Sequence, residues 1–294
     1  MGSSNSKRNK KQKYISSSTH VKQSKSTRLS STMYELICLG VGKGATAVYN
    51  NKTSSSFAIR NKTNGECVLI IDMGLGSLYS FQQYFPPNTR IKNVYISHNH
   101  TDHSGELPVY IANEAPKVTD SSSKLKIFSH KDVLQRLQQH RCHELYSATI
   151  DYFKNVCWMP CEENQMISLD ENGSLCLKVA RSQHNELCYG FVLYCQNKPI
   201  LSFSGDSGFN QNFFHFLYTA PVILVDGRDK GTYEHAGFDE IFNFHQSSPV
   251  KDSQTVYVYH YGLENEAPSF QISAIKAIRP GDIVSLSTLQ DGQD

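Results

Sequence analysis

The stretch "VYISHNHTDHSG", residues 94–105, places three histidines and one aspartate within six positions, directly after an apolar strand pattern. A capping loop or a pH-sensitive loop needs one or two such groups, whereas a metal cluster needs all of them. His98 and His100 are two positions apart, so an extended segment directs both side chains to the same side. Asp102 and His103 follow beyond a turn, where they would bind a neighbouring ion. The loop therefore predicts a metal centre, provided that the rest of the chain completes it.

Three later residues carry the same ligand chemistry and lie where apolar runs end or are interrupted. They are His184 in "VARSQHNELCYG", Asp206 in "LSFSGDSG" and His260 in "VYVYHYG". The ends of strands are where a rigid sheet presents side chains to a shared cleft. Imidazole nitrogen and carboxylate oxygen suit zinc or a similar divalent ion. Together with the loop they make seven ligands, which are too many for one tetrahedral ion and suit two ions that share a carboxylate.

Residues 33–294 alternate apolar strand patterns with helical patterns. Strands dominate the first half and helices are interspersed, which predicts an α/β domain whose sheet layers are flanked by helices. Ser129 and Asp132 form a capping-box pattern that predicts the start of the helix "HKDVLQRLQQH". A short helix is predicted over "GELPVYIANEA", and further helices over residues 209–217, 237–245 and 269–278.

The histidine-rich loop carries a family resemblance. "HNHTDH" matches the His-x-His-x-Asp-His motif of the metallo-β-lactamase superfamily, and the three later ligands fall in the family's order. The segments "LICLGVGKGAT", "IIDMGLG" and "SFSGDSG" resemble the branch that contains tRNase Z and the related cyclic-nucleotide phosphodiesterases. The resemblance covers nearly all of residues 33–294. It implies a four-layer αβ/βα sandwich with the site at one edge.

The same resemblance implies how the ligands divide between two divalent ions, zinc in the first place and manganese as the second candidate. The ligands would be His98, His100 and His184 for the first ion, Asp102, His103 and His260 for the second, and Asp206 as the bridge. Two ions roughly 3.5–4 Å apart hold a bridging water and lower its pKa, which gives a hydroxide nucleophile. Asp102 would orient that hydroxide as well as bind metal.

The segment "LVDGRDKGTYEHAGFDE", residues 224–240, contributes two further catalytic candidates. By the resemblance, Asp226 and His235 occupy places where tRNase Z-like proteins protonate the leaving group and contact the substrate phosphate. The sequence departs from that family because Ala-Gly follows the histidine in place of Ser or Thr, and because the intervening segment is shorter. A helix-capping role for His235 is therefore the alternative. Arg228 and Lys230 would either offer charge to an anionic substrate or lie on the surface.

The formal net charge of +2 conceals a basic leader. Residues 1–32 contain eight Lys and Arg residues and no acid, so residues 33–294 carry 21 basic and 27 acidic residues. A net acidic folded part exerts no general attraction on a polynucleotide. No apolar run approaches the roughly 20 residues that a membrane-spanning helix requires. The eight cysteines are scattered, several of them in strand-like runs, which favours reduced thiols over disulfides.

Residues 1–32 are too polar to bury enough surface to order themselves, so we predict that this leader is disordered. Its start, "MGSSNSKR", matches the N-myristoylation pattern with Gly2 as the acceptor. The basic residues that follow would supply the second signal needed for attachment to an anionic leaflet. An ordinary polar leader is the alternative. The expected location is intracellular and cytoplasmic, or membrane-associated through a lipid on Gly2.

The ligand set predicts a metal-dependent hydrolase. The leading candidate is a phosphodiesterase that acts on a small anionic or nucleotide substrate, such as a cyclic nucleotide. The same hydroxide would attack other bonds, so a thioester, lactone or ester hydrolase of the glyoxalase II or lactonase type is one alternative. A tRNase Z-like nuclease is another, although the folded part is net acidic and the sequence has no recognisable Gly/Pro-rich arm of the kind that clamps tRNA.

A third alternative comes from a different class, a non-catalytic membrane-associated module whose metals are structural. The retention of every ligand position weighs against it, because a site without catalytic duty need not keep an open two-metal set. Many members of the resembled family dimerise, so a homodimer is one expected assembly. Residues 117–165 contain no interpretable motif and are predicted to shape the substrate pocket.

Overall fold

The apolar runs of the sequence form the strands of two mixed sheets, described over residues 29–289 in a computed structural model. Within that part of the chain each sheet has seven strands. The first sheet has the spatial order β14 (Ile283–Leu289), β1 (Leu29–Gly40), β2 (Ser56–Asn61), β3 (Cys67–Ile71), β4 (Asn93–Tyr95), β5 (Leu125–His130) and β6 (Val156–Cys161). The second has the order β13 (Ile275–Ala277), β12 (Thr255–Tyr259), β11 (Val222–Asp226), β10 (Lys198–Phe203), β9 (Tyr189–Cys195), β8 (Leu175–Arg181) and β7 (Met166–Ser168).

Short helices connect these strands. The α-helices of residues 29–289 are α1 (Gly44–Tyr49), α2 (Ser77–Tyr84), α3 (Thr101–Ser104), α4 (Leu107–Glu114), α5 (Lys131–Arg136), α6 (Gln211–Leu217) and α7 (Phe238–Ser247). A π-helical turn over Leu137–Arg141 extends α5 directly. Single 3₁₀ turns lie at Ala115–Lys117, Ser121–Ser123, His143–Ser147, Phe153–Asn155, Lys251–Ser253 and Glu264–Glu266. A search of the described residues finds no helix with the length and apolarity that a membrane crossing demands.

Four adjacent strands on one side of each sheet run parallel, from the middle of the sheet to its edge. In the first sheet β3, β4, β5 and β6 pair in parallel, and in the second sheet β10, β11, β12 and β13 do so. The antiparallel strands β14, β1 and β2 form one flank of the first sheet, and β7, β8 and β9 form one flank of the second. The carboxyl ends of parallel strands are where ligand sites form in such sheets.

The two sheets pack face to face, and helices cover their outer faces. The ring of Phe57 in β2 contacts the ring of Tyr259 in β12, with 5.2 Å between ring centroids. In β1, Leu36 packs in the core between the sheets, whereas Ile37 packs beneath the helices of the first sheet. Burial on both faces explains why these strands are continuously apolar. A separate apolar cluster joins α6 and α7 to the second sheet. The predicted four-layer αβ/βα sandwich is confirmed.

One predicted helix is wrong. Within residues 269–278, Ile275–Ala277 forms the edge strand β13, parallel to Val256–Val258 of β12. The strand pairing satisfies backbone groups and buries Ile275, and this tertiary contribution outweighs a weak local helical pattern. The helices predicted over 209–217 and 237–245 are confirmed as α6 and α7.

The capping box predicted from Ser129 and Asp132 is also wrong. Strand β5 extends through His130, so Ser129 is still inside the sheet, and its buried hydroxyl donates to the backbone oxygen of Ile96 at 2.6 Å. The N-cap of α5 is His130, whose Nδ1 accepts the backbone N–H of Asp132 at 3.4 Å. A serine held by a neighbouring strand cannot also cap a helix.

The first strand begins at Leu29, four residues before the predicted start of the folded domain at Met33. Gly2 and the rest of the predicted leader up to residue 28 lie outside the described residues. All eight cysteines fall within the described part of the chain and are free thiols.

Candidate metal centre

The predicted ligands lie at the edge of the sandwich where the parallel strands end. The loop after β4 contains His98 and His100 and continues into α3. On the other sheet, Asp206 follows the end of β10 and His260 follows the end of β12 directly, while His184 lies between β8 and β9. All seven predicted ligand residues are brought together at this edge.

The first group of ligand atoms comes from His98, His100, His184 and Asp206, and these atoms lie within 4.8 Å of one another. The Nε2 atoms of His98 and His184 are 3.9 and 3.8 Å from Asp206 Oδ2. His100 is exposed whereas the other three residues are buried, so the group opens to solvent on the His100 side. Burial holds the pKa of His98 well below its ordinary value and also lowers the pKa of His184. Neutral rings are the form that binds metal.

The second group consists of Asp102, His103 and His260, whose ligand atoms also lie within 4.8 Å of one another. His260 Nε2 is 3.2 Å from Asp102 Oδ2. The Oδ1 atom of Asp206 lies 3.1 Å from His103 Nε2 and 3.0 Å from His260 Nδ1. Because the Oδ2 atom of Asp206 faces the first group, one carboxylate lies between both groups.

The carboxylates dominate the electrostatics of the second group. Burial raises the pKa of Asp206, but His103 and His260 outweigh this and hold it well below its ordinary value. Burial lowers the pKa of His103, but Asp206 and Asp102 raise it well above its ordinary value. The pKa of His260 is raised to about 10, chiefly by Asp206 acting against the effect of burial. These carboxylates therefore stabilise positive charge strongly in the second group.

The side chains present fit a divalent cation. The buried atoms His98 Nε2, His103 Nε2 and Asp206 Oδ1 have no hydrogen-bond partner among the described residues. His103 Nε2 and Asp206 Oδ1 are 3.1 Å apart, but the angles between them are not those of a hydrogen bond. Buried polar atoms without partners are rare in folded proteins. A cation satisfies imidazole lone pairs and a carboxylate oxygen at once, and this is a usual donor set for metal sites.

Asp72, which lies in the segment "IIDMGLG", supports the histidines of the candidate centre. Its Oδ2 lies 2.7 Å from His103 Nδ1, and its Oδ1 accepts the backbone N–H of Ser97 at 2.7 Å. The Ser97 hydroxyl is in turn 3.0 Å from His98 Nδ1. Burial raises the pKa of Asp72, and His103 opposes that effect. A carboxylate behind a ligating histidine fixes its tautomer and ring orientation.

Left-handed backbone occurs at three points of the site. Asp72 and His260 have φ of 56° and 59°, a conformation that costs energy for residues other than glycine and that is concentrated at functional sites. Gly205 has φ of 61°, and a Cβ there would lie 2.7 Å from Cys188 Sγ and 3.1 Å from Ser97 Cβ. Gly205 thus lets the loop of the second sheet approach the loop of the first sheet closely.

Asp226 and His235 lie together beside the second group. Asp226 Oδ2 is 2.7 Å from His235 Nδ1, and Asp226 Oδ1 is 3.3 Å from His260 Nδ1. Burial and Asp206 raise the pKa of Asp226, but its hydrogen bonds with His235 and His260 keep it below the ordinary value. The helix-capping alternative for His235 is wrong, because the N-cap of α7 is Gly237, whose N–H is accepted by Glu240.

Two basic side chains, those of Arg228 and Lys43, border the centre. The Arg228 guanidinium donates to the backbone oxygen of His260 and lies 3.3 Å from His260 Nδ1 and 3.4 Å from His235 Nε2. Lys43 Nζ donates to the backbone oxygen of Tyr261 at 3.2 Å and pairs with Glu266 at 2.8 Å. Arg228 is half-buried and belongs to the site, whereas Lys230 lies exposed on the surface.

Arg141 reaches the histidine-rich loop from the π-helical turn. It donates to the Asn99 backbone oxygen at 2.9 Å, to Ser104 Oγ at 3.0 Å and to Thr101 Oγ1 at 3.2 Å. Residues 117–165, which carry no motif, thus contribute a side chain that holds the histidine-rich loop. A single arginine with no patterned neighbours leaves no signal in the sequence.

Several solved structures have the same fold. The metallo-β-lactamase fold protein YhfI from Bacillus subtilis is 16% identical with a TM-score of 0.64, and the match covers 85% of this chain and 98% of that chain. Human tRNase Z, short form, is 15% identical with a TM-score of 0.61 and coverage of 86% and 99%. Unliganded yeast PDE1 is 13% identical with a TM-score of 0.63 and coverage of 86% and 99%. The metallo-β-lactamase fold predicted from the motif is confirmed.

The sequence itself has a more specific match. No curated protein matches it significantly, so the assignment depends on comparison with family profiles. The profile of one family, described as Anti-Pycsar protein Apyc1, matches residues 34–283. That span contains every strand-end ligand described above and most of both sheets. The protein belongs to the Anti-Pycsar protein Apyc1 family.

Proposed function

We propose that the chain is a metal-dependent phosphodiesterase that hydrolyses a small nucleotide, with a cyclic nucleotide as the substrate class. The observation that carries the proposal is Asp206, whose two carboxylate oxygens face separate sets of histidines. Sharing of one carboxylate supports a site for two cations, which is typical of enzymes that cleave phosphate esters. The similarity in fold to yeast PDE1 and tRNase Z is consistent with a phosphodiester substrate.

The proposed metal ligands are those expected from the sequence. They are His98, His100 and His184 for one cation, Asp102, His103 and His260 for the other, and Asp206 between them. Zn²⁺ is proposed first because imidazole nitrogen with carboxylate oxygen suits it, and Mn²⁺ is the second candidate. When bound, such a pair lowers the pKa of water and neutralises charge that develops on the phosphoryl oxygens.

Asp102 is proposed to orient the attacking water. Its Oδ2 is held by the backbone N–H of Gly44 at 2.5 Å and by His260 at 3.2 Å. Burial raises the pKa of Asp102, but His103 and His260 outweigh this and hold it well below the ordinary value. Asp102 therefore stays ionised and accepts a hydrogen bond from a water that approaches the phosphorus atom.

His235 is proposed to protonate the leaving oxygen, with Asp226 as its positioning residue. Asp226 accepts a hydrogen bond from His235 Nδ1, so His235 Nε2 faces Arg228. A phosphate that reached the centre would draw the Arg228 guanidinium toward its charge, and His235 Nε2 would then face the ester oxygen. Arg228 is well suited to this role, since a guanidinium binds phosphate in a fixed geometry.

The test compares three substrates, bis-p-nitrophenyl phosphate, p-nitrophenyl acetate and a thioester, each with Zn²⁺ or Mn²⁺ added. We expect phosphodiester turnover that Asp102→Ala abolishes and that the exposed Asp151→Ala leaves at the wild-type rate. Turnover of the ester or thioester alone would favour the glyoxalase II or lactonase alternative. Bound metal without turnover of any of the three substrates would favour a structural role.

A tRNase Z-like nuclease is tested separately by incubating the protein with precursor tRNA and with a cyclic nucleotide. We expect cleavage of the cyclic nucleotide alone, because residues 33–294 carry 27 acidic residues against 21 basic ones. Cleavage of the precursor tRNA at comparable efficiency would contradict the proposal of a small substrate.

Attachment to membranes is a proposal from the leader sequence. Lipidation of Gly2 together with the basic residues of the leader would hold the enzyme at an anionic membrane surface. Replacement of Gly2 with Ala is then expected to release the protein from the membrane fraction of its native cells. An unchanged distribution would contradict the proposal.

A further inference from the structure

A cavity of about 990 Å³ adjoins the metal centre. Three residues of its wall are also neighbours of the centre. Arg228 contacts His260 and His235, Tyr261 directly follows His260, and Lys43 directly precedes Gly44, whose N–H is bonded to Asp102. The cavity therefore lies directly beside the centre. We call it the Phe270 cavity after an aromatic residue that lines it. Its volume lies at the upper end of the usual range for small-molecule sites.

Aromatic rings form the apolar part of the Phe270 cavity. Phe238, Phe242 and Phe270 line it, and all three are half-buried. They pack against the apolar cluster between α7 and the second sheet, so their positions are supported from behind. The rings of Phe238 and Phe270 meet edge to face, with 6.1 Å between centroids and 78° between planes. Supported aromatic faces are the surfaces on which nucleobases stack.

Two basic side chains of the Phe270 cavity lie on the side that adjoins the centre. Arg228 donates to the backbone oxygen of the candidate ligand His260, and Lys43 donates to that of the next residue, Tyr261. Lys43 also pairs with Glu266, and the other charged residues of the lining are Asp229, Lys230 and Asp239. The cavity also has polar groups, Asn265 and Asp239 among them, that can bond to hydroxyl or amino groups. A nucleotide matches this arrangement. Its phosphate would lie beside the basic side chains next to the centre, and its base would lie against the aromatic rings farther away.

A second large cavity lacks this relationship to the centre. It has a volume of about 740 Å³ and is lined by Arg60 and Arg90 among other residues. Arg60 pairs with Cys67 at the end of β2 and β3 that is opposite to Asp72. This second cavity therefore lies away from the candidate ligands, and none of them lines it.

We propose that the Phe270 cavity is the nucleoside subsite of this enzyme, in which the base stacks on Phe242 and Phe270 while the phosphate lies past Arg228 at the metal centre. The proposal rests on the proposed function for its phosphate end. Its nucleoside end stands on the aromatic wall alone, so the two can be tested independently.

The test uses adenosine 3′,5′-cyclic monophosphate and its abasic analogue, 1-deoxyribose 3′,5′-cyclic phosphate. The ratio of kcat/KM for the first over the second measures what the base contributes. We expect this ratio to fall about tenfold in Phe270→Ala and further in the double variant with Phe242→Ala, mainly through KM, because base stacking on an aromatic ring is lost. Phe216→Ala is the matched control, since Phe216 is half-buried on the same apolar cluster but lines a different cavity.

A binding measurement separates the subsite from catalysis. Calorimetric titration of the protein with adenosine is expected to give a weaker Kd in Phe270→Ala than in the wild type and in Phe216→Ala, with the same Tm shift in both variants. An unchanged substrate ratio and an unchanged adenosine Kd in both cavity variants would overturn the subsite and leave the phosphodiesterase intact. Adenosine binding that depends on Phe270, in a wild-type protein that hydrolyses neither cyclic phosphate, would support the subsite and overturn the proposed function.

Discussion

The two sheets supply the centre in different ways. The first sheet contributes four candidate ligands within six consecutive positions, carried by one loop and the short helix α3. The second sheet contributes His184, Asp206 and His260, single residues from three separate loops, together with Asp226 and His235. The first set lies close together in the chain, and Asp72 and Arg141 support it from outside the loop. The second set depends on the alignment of β10, β11 and β12, so defects there should affect both proposed cations at once.

Removal of the carboxylate shared by both groups should disturb the candidate centre most severely. Asp206→Ala is expected to lose both cations and to reduce phosphodiester turnover about a thousandfold or more, because Asp206 faces both sets of histidines. Elemental analysis and a turnover assay measure the two effects. Asp252→Ala, an exposed aspartate, is the control. A variant that kept one cation at full occupancy would show that the two groups are independent.

A milder change affects only residues of the first sheet. Asp72→Asn keeps the size of the side chain but weakens its hold on His103 Nδ1, 2.7 Å away. We expect the affinity for the cation bound by His103 to fall about 10–100-fold, as is usual for partners behind a ligating histidine. Competition with a chelator measures this. An unchanged affinity for this cation would contradict the supporting role of Asp72.

The pH dependence of metal binding tests whether the carboxylates of the second group keep His260 protonated at neutral pH. The pKa of His260 is raised to about 10, so the ring is protonated at pH 7 and has to lose its proton before it binds a cation. Affinity is therefore expected to increase about tenfold per pH unit from pH 7 to 9. Calorimetry in buffers of different ionisation enthalpy should detect proton release. A pH-independent affinity without proton release would contradict the placement of His260.

The smallest expected effect concerns the support of the histidine-rich loop. Arg141→Gln removes most of the hydrogen bonds to Asn99, Thr101 and Ser104. We expect metal affinity to fall about fivefold, and Arg141→Lys to restore little of it because an ammonium lacks the planar fork. The exposed Arg279→Gln serves as the control. A fall in Tm without a change in metal affinity would show that Arg141 stabilises the fold and does not position the loop.

The local parts of the molecule could be predicted from the sequence. The motif between His98 and His103 indicated both the metal chemistry and the fold, because these ligands are close in the chain. Predictions that depended on distant partners were less successful. Residues 269–278 form part of a sheet edge in place of a helix, since β12 offers backbone partners that no local pattern reveals. Ser129 is a comparable case, because its hydroxyl bonds to Ile96 across the sheet.

The types of candidate ligand, their order and the α/β class could be predicted from the sequence, because residue chemistry and strand periodicity are local properties. The support that Asp72 and Arg141 give to the candidate ligands, and the aromatic cavity that adjoins the centre, became visible only in the folded structure. Each of these is a contact between segments distant in the chain. Such contacts arise from how the two sheets pack and which strand ends they bring together, and short stretches of sequence do not encode that packing.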